Sequence, residues 1–239
     1  WSTYAHVADW AFCLVRTSRE GRPQQGITFL LIDMRSAGVE VRPVIMMSGE
    51  HIQNSIYFTN VRVPKENVVG AIGAGWTVAK DLLEFERGGG TGAPRLNKLI
   101  ADVRTAVRGA PDRADATFFS RLAEAQIAVD AFEALELRIW SSAARRPADP
   151  SMVKVLFTEL SQRITELALE AAGPYAQPFQ PHAASPGGPV PDYRPPNDSF
   201  VAGEPWQAIS PLKYLNDRAA SIYGGANEIQ RNIMTRELL

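Results

Sequence analysis

The chain has 239 residues, 45% of them hydrophobic, with 25 basic and 26 acidic side chains and a formal net charge of -1. Such a chain can bury a sizeable core in one or two domains, and its balanced charge offers neither nucleic acid nor an anionic membrane an electrostatic handle. Cys13 is the single cysteine, which excludes an intramolecular disulfide framework and a four-cysteine metal site and makes a reducing compartment the expected one. Arginine outnumbers lysine, as in GC-rich bacterial genomes, so the expected location is the bacterial cytoplasm. No apolar run approaches the roughly 18 residues of a bilayer span, and no charged-then-apolar leader opens the chain.

In chain order, "DWAFCLVRT", "GITFLLIDM", "GVEVRPVIMM" and "NSIYFTNVRV" are short runs rich in β-branched and aromatic residues, separated by turn signals. They predict antiparallel strands. From Trp76 the period lengthens. "WTVAKDLLEFER", "ATFFSRLAEAQIAVDAFEALELRIWSSAA" and "SMVKVLFTELSQRITELALEAA" carry apolar residues at i, i+3, i+4 and i+7 and predict three long helices. Asp149-Pro150-Ser151 starts the last of them and Gly173-Pro174 stops it. Residues 174–205, dense in Pro, Gly, Ser and Asn, read as an irregular loop. A final helical region from about Ser210 to Leu239 is interrupted by Gly224 and Gly225. The expected fold class is α+β: a partial antiparallel β domain over 1–70, followed by a C-terminal four-helix-type bundle over 71–239. The chain opens on Trp1 inside what reads as a folded element, so an N-terminal portion is expected to be absent.

Two distant stretches combine with two central ones. "WSTYAHVADW" at the start and "IYGGANEIQRNI" near the end resemble the flavin-contacting signatures of the acyl-CoA dehydrogenase family. "NVRVPKENVVG" and "GAGWTVAKDLLEFER" resemble its linker and first bundle helix. The order along the chain is the family's own, and the resemblance covers nearly all of it. Against that family, the missing part is an N-terminal helical domain with the first strands of the β domain.

The resemblance implies a reaction and gives each matched position a role in it. An acyl-CoA loses its α proton to a carboxylate while a hydride leaves the β carbon for FAD, giving a trans-2-enoyl-CoA. In many members the base follows the tyrosine of the C-terminal motif, but here Gly224 follows Tyr223. A second arrangement in the family takes the base from the first bundle helix, just before an arginine. That dipeptide is Glu86-Arg87, so Glu86 becomes the expected base and Arg87 its orienting neighbour. Gly224 then keeps the backbone duty of holding the thioester oxygen through its N–H at the start of a helix. Trp1 covers the flavin, Thr3 places a hydroxyl near its reactive edge, and Tyr223, Gly225, Asn227 and Glu228 complete the expected cofactor contacts. Gly89 and Gly90 fall three and four residues after Glu86, on its helical face, where they would border an acyl cavity wide enough for a bulky, steroid-type group. The bland alternatives are that Glu86 is a solvated or Arg87-paired helix carboxylate, Gly224-Gly225 an ordinary turn before a helix, and the later glycines a helix irregularity.

The chain also departs from the family. Ala226 stands where Thr or Ser is usual. "GAPDRADATFFSR" replaces an Arg-x-Gln-Phe element, and "LEAAGPYA" lacks the Gln and Gly-Gly pair on the adenosine side of FAD. Such departures resemble the bacterial heteromeric subgroup, in which unlike subunits share each FAD. Three readings therefore stand: an FAD-dependent acyl-CoA dehydrogenase, a non-catalytic partner subunit of a heteromer, and a relative with a different flavin reaction such as nitroalkane or acyl-carrier oxidation. The expected partners are acyl-CoA, electron transfer flavoprotein as electron acceptor, and further copies or homologues in a dimer of dimers. No Rossmann fingerprint, P-loop or metal-ligand spacing appears, and His6, His51 and His182 read as structural or exposed.

Overall fold

The computed structural model describes residues 1–88, 92–109, 114–142, 146, 148–180, 183 and 201–238, with backbone only for 84–88 and 238. The described residues are mixed α+β: short antiparallel strands, then helices. Two compact units emerge, Trp1–Met46 with His51–Glu86, and Met47–Glu50 with Arg87–Leu239. This division falls after Glu86, so most of the first helix groups with the strands, whereas the change of sequence period comes near residue 70.

The first unit holds strands β1 (Ser2–Thr3), β2 (Trp10–Arg16), β3 (Ile27–Asp33), β4 (Val39–Ile45), β5 (His51–Phe58) and β6 (Val68–Val69), then helix α1 (Gly75–Gly88). The strands form two three-stranded sheets in the orders β1-β5-β4 and β2-β3-β6. β2 pairs with β3 from Trp10↔Asp33 to Arg16↔Ile27, and its exposure alternates along the strand as a two-residue period requires. Pro43 sits on β4, an edge strand, where its missing N–H costs no ladder bond. Gly75 starts α1 against β3: a Cβ there would stand 2.4 Å from the Phe29 nitrogen, so no larger residue fits.

The second unit contains α2 (Gly92–Arg108), α3 (Ala116–Ser141), α4 (Asp149–Ala172), α5 (Pro205–Asp217) and α6 (Asn227–Leu238). Its core is one apolar cluster in which Leu96, Ile100, Val103 and Val107 of α2 meet Phe118, Leu122, Ala125, Val129 and Phe132 of α3 and Ile164, Leu167 and Ala171 of α4. These spacings are the three- and four-residue steps of a helix face. α2 is an addition to the three long helices expected. Pro94 falls in its first turn, where proline is tolerated because its missing N–H has no partner there anyway. α5 likewise begins at Pro205, ahead of the expected Ser210, with a capping box between Glu204 and Gln207.

Candidate functional site

In the first unit, β1 carries Trp1 and Thr3 together. The Trp1 indole is 91% exposed, an apolar plate with nothing over it among the described residues. Thr3 Oγ1 accepts a hydrogen bond from Gln53 Nε2 at 2.9 Å, which leaves the hydroxyl's own hydrogen to be donated elsewhere. The strand is tied down beside it, since Asn54 Nδ2 donates to the Ser2 carbonyl at 3.1 Å. Asn54 Oδ1 in turn stands 2.6 Å from His51 Nε2 and 3.2 Å from His6 Nδ1. The two histidines are structural supports of β1. His182 lies outside the described residues.

Glu86 and Arg87 fall on the last turn of α1, and their side chains are not among the described ones. Gly89 and Gly90 lie outside the described residues altogether. The next helix begins on a buried anion. Gly92 and Ala93, the first residues of α2, donate their N–H groups to the two carboxylate oxygens of Glu136 on α3, at 3.0 and 2.8 Å. Glu136 is only 5% exposed. An anion placed on the unpaired amides and positive pole of a helix start satisfies both, which is why a buried carboxylate is tolerated here.

In the second unit, α5 continues into a short 3-10 segment, Arg218–Ser221, and then a turn that ends at α6. Ile222 and Tyr223 both donate to the Ala219 carbonyl. Gly224 and Gly225 then take φ of 66° and 91°, left-handed values that would cost other residues roughly 1–2 kcal/mol each. Gly224 therefore lies in the turn ahead of α6 and not in its first helical turn, and α6 is capped at Ala226, whose carbonyl receives the Gln230 N–H. Alanine there supplies no side-chain oxygen to the helix start. A Cβ on Gly224 would meet only Lys154 Cε, at 3.9 Å, so the turn's outer side is open. Tyr223 is half-exposed, and burial, reinforced by the Asp217 charge, pushes its phenol above the ordinary value.

Asn227 and Gln230 are 3% and 0% exposed. The Asn227 side chain is hydrogen-bonded to Lys154 and Thr158 of α4, and Gln230 to Ser151. Glu228 points to solvent. Lys154, Ser151, Thr158, Gln53 and Glu136 were missed from the sequence. For Ser151, Lys154 and Thr158 the signal, polar residues at helix-face spacing inside the apolar run "SMVKVLFT", was present but ambiguous. A separate cavity of about 850 Å³ lies between α2, α4 and α5, walled by Val103, Ala106, Ile164, Ala168 and Trp206, and includes none of the anticipated residues.

Residues 73–239 match the family model described as "Acyl-CoA dehydrogenase, C-terminal domain". The chain is 30% identical over 242 residues to the acyl-CoA dehydrogenase IpdE1 of Mycobacterium tuberculosis (strain ATCC 25618 / H37Rv), covering 100% of this chain and 57% of that protein. Among solved structures it is similar to the Tcur3481-Tcur3483 steroid ACAD, with a TM-score of 0.75 and 22% identity over 99% of this chain and 58% of that one. It is also similar to a chain of the ChsE4-ChsE5 complex from Mycobacterium tuberculosis, with a TM-score of 0.74 and 23% identity over 98% and 57%. The chain thus spans somewhat more than half the length of each, and the structural likenesses show the fold.

Proposed function

Because this chain belongs to the acyl-CoA dehydrogenase family, we propose that it takes part in the α,β-dehydrogenation of an acyl-CoA thioester to the trans-2-enoyl-CoA. The observation that carries the reading is the open glycine turn after Tyr223, which offers bare backbone where a side-chain base would otherwise stand. FAD, when bound, supplies the hydride acceptor. The groups present suit it: an uncovered indole at Trp1, a donor-ready hydroxyl at Thr3, and a side-chain-free approach at Gly224. Tyr223, Asn227 and Glu228 complete the set that would hold it.

In this reading Glu86 accepts the α proton and Arg87 orients it. A thioester α proton is too weakly acidic for an unaided carboxylate. The Gly224 N–H therefore receives the thioester oxygen as negative charge develops on it, and one such preorganised donor is worth about 3 kcal/mol. Gly89 and Gly90 leave room for a bulky acyl group, in keeping with the steroid enzyme among the structural relatives. Electron transfer flavoprotein is the proposed acceptor. The working form is an oligomer, homomeric or of unlike subunits. A second reading, a non-catalytic partner subunit, is favoured by the altered adenosine-side elements "GAPDRADATFFSR" and "LEAAGPYA" and by a structural relative that is a two-protein complex.

The test is visible absorption of the full-length protein, alone and co-purified with a co-encoded homologue. Flavin bleached by an acyl-CoA is expected, and Glu86→Gln should keep the colour while slowing bleaching on the order of 10²–10⁴-fold. Colourless preparations in both settings would favour the partner-subunit reading, and normal bleaching by Glu86→Gln would remove Glu86 as base.

A further inference from the structure

The turn over residues 221–226 has little of its own to fix its shape. Gly224 and Gly225 are both left-handed, and glycine gives up more conformational entropy on ordering than any other residue. The restraint comes from α4. Ser151, Lys154 and Thr158 recur at i, i+3 and i+7 and so share one helix face. Lys154 Nζ donates to the Ala220 carbonyl at 3.0 Å, just ahead of the turn, and to Asn227 Oδ1 at 2.7 Å, just beyond it. Thr158 Oγ1 and Asn227 Nδ2, 3.2 Å apart, lock the same side chain from the other side. Ser151 Oγ donates to Gln230 Oε1 at 2.8 Å, and Gln230 Nε2 donates to the Gly224 carbonyl at 3.4 Å. One lysine thus grips both ends of the turn while a Ser-Gln relay holds its middle. Asn227, Gln230, Ser151 and Thr158 are all buried, where such bonds are stronger than in water.

Resting on the reading that the Gly224 N–H receives the thioester oxygen, we propose that Lys154 is the positioning residue for that donor. It sets the turn and brings a positive charge beside it. Its Cε stands 3.9 Å from the place a Gly224 Cβ would occupy, and its ammonium is hydrogen-bonded on either side of the turn, so a positive charge is held near the backbone that must stabilise negative charge. A cation held there favours loss of the α proton: the C–H bond breaks, its electron pair passes onto the thioester as an enolate, and the proton goes to Glu86. A neutral isostere would leave the same backbone both looser and electrostatically weaker.

The experiment compares the full-length, flavin-loaded protein as wild type, Lys154→Met, Lys154→Arg and Ser151→Ala. The probe is a 3-thia-acyl-CoA. Sulfur in place of the β carbon acidifies the α proton and leaves no β hydride, so the reaction stops at the enolate and is followed as long-wavelength absorbance against oxidised flavin over a range of pH. Lys154→Met should move the midpoint of that titration upward by about one pH unit or more and, with an ordinary acyl-CoA as substrate, lower kcat on the order of 10²-fold, with flavin content retained. Lys154→Arg should recover most of both, and Ser151→Ala, which keeps the charge, should give a smaller shift in the same direction. An unchanged midpoint in flavin-loaded Lys154→Met overturns the inference. If that variant does not fold, an unchanged midpoint in Ser151→Ala overturns it instead. Wild-type protein that binds flavin but gives no enolate band at any pH would sink the dehydrogenase reading itself, whereas a wild-type band matched by every variant sinks only the role of Lys154.

Discussion

Asp217, the last residue of α5, has one carboxylate oxygen, Oδ2, buried without a hydrogen-bond partner. Burial raises its pKa above the ordinary value, while the Ser161 hydroxyl and the Arg218 and Arg95 charges pull the other way. The charged form is thus less at home in the folded chain than in the unfolded one. Its contribution to stability is fully present below the unfolded pKa and is lost as pH rises through the raised folded value. Asp217→Asn should therefore melt at or above the wild-type temperature near neutral pH, and the gap should close as the pH falls below the usual carboxylate range. Paired thermal melts at the two conditions check this; a variant markedly less stable near neutrality would show that the charge is compensated. Gly224 illustrates the same scale from the backbone side. Its left-handed φ is a reason for glycine that holds whatever the chemistry, and the open space around its absent Cβ is a reason that chemistry can use.

Among the elements, the start of α2 depends on a single residue of α3. Glu136 accepts from two amides of the α2 N-terminus, and a Cβ on Gly92 would come within 2.9 Å of both Glu136 Oε1 and the Phe132 ring and 3.0 Å of Phe157. Gly92 is therefore where α3 and α4 leave no volume for a side chain. Glu136→Ala leaves a buried and a part-buried N–H group unsatisfied and should cost about 2–4 kcal/mol, with Glu136→Gln retaining part of that by keeping one acceptor. Denaturant unfolding midpoints at constant m-value measure both. A loss within experimental error for Glu136→Ala would mean that water replaces the carboxylate. Because α2 comes directly after the segment that carries Glu86, Gly89 and Gly90 in sequence, the same variant tests whether the cap matters to turnover.

On the scale of the whole molecule, the second unit leaves apolar residues on the solvent side of α3: Phe119, Ile127 and Leu137 are 49%, 68% and 63% exposed. A helix that is apolar on two faces asks for cover on both. Sedimentation of the full-length protein, alone and with a co-encoded homologue, should show an oligomer, and Ile127→Glu should weaken it without unfolding the bundle. A stable, active monomer would refute that assembly. In the assembled form, kcat/KM should be higher for ring-bearing than for straight-chain acyl-CoAs, with Gly89→Leu and Gly90→Leu selectively losing the bulky substrates. Equal loss of both substrate types would assign those glycines to the helix alone.

The sequence by itself determined the class of the four long strands, of the helices other than α2, and the family, because these depend on local information. Strand and helix periods are written in the spacing of apolar residues, and the motifs around Trp1, Glu86 and Gly224 are contiguous stretches. It also located the last glycine pair, since two glycines before a helical run mark a turn without any knowledge of packing. The existence of α2 was decided by tertiary structure. Read locally, Gly92 and Pro94 argue against a helix, and only the Glu136 carboxylate arriving from α3 turns that segment into a capped start. The support of the Gly224 turn was decided the same way. Lys154 lies 70 positions from Gly224 in the chain, and nothing in "SMVKVLFT" says which carbonyl its ammonium will find. That pairing exists only once α4 and α6 are packed, because hydrogen-bond partners are chosen by proximity in space and by the cost of leaving a buried polar group unsatisfied.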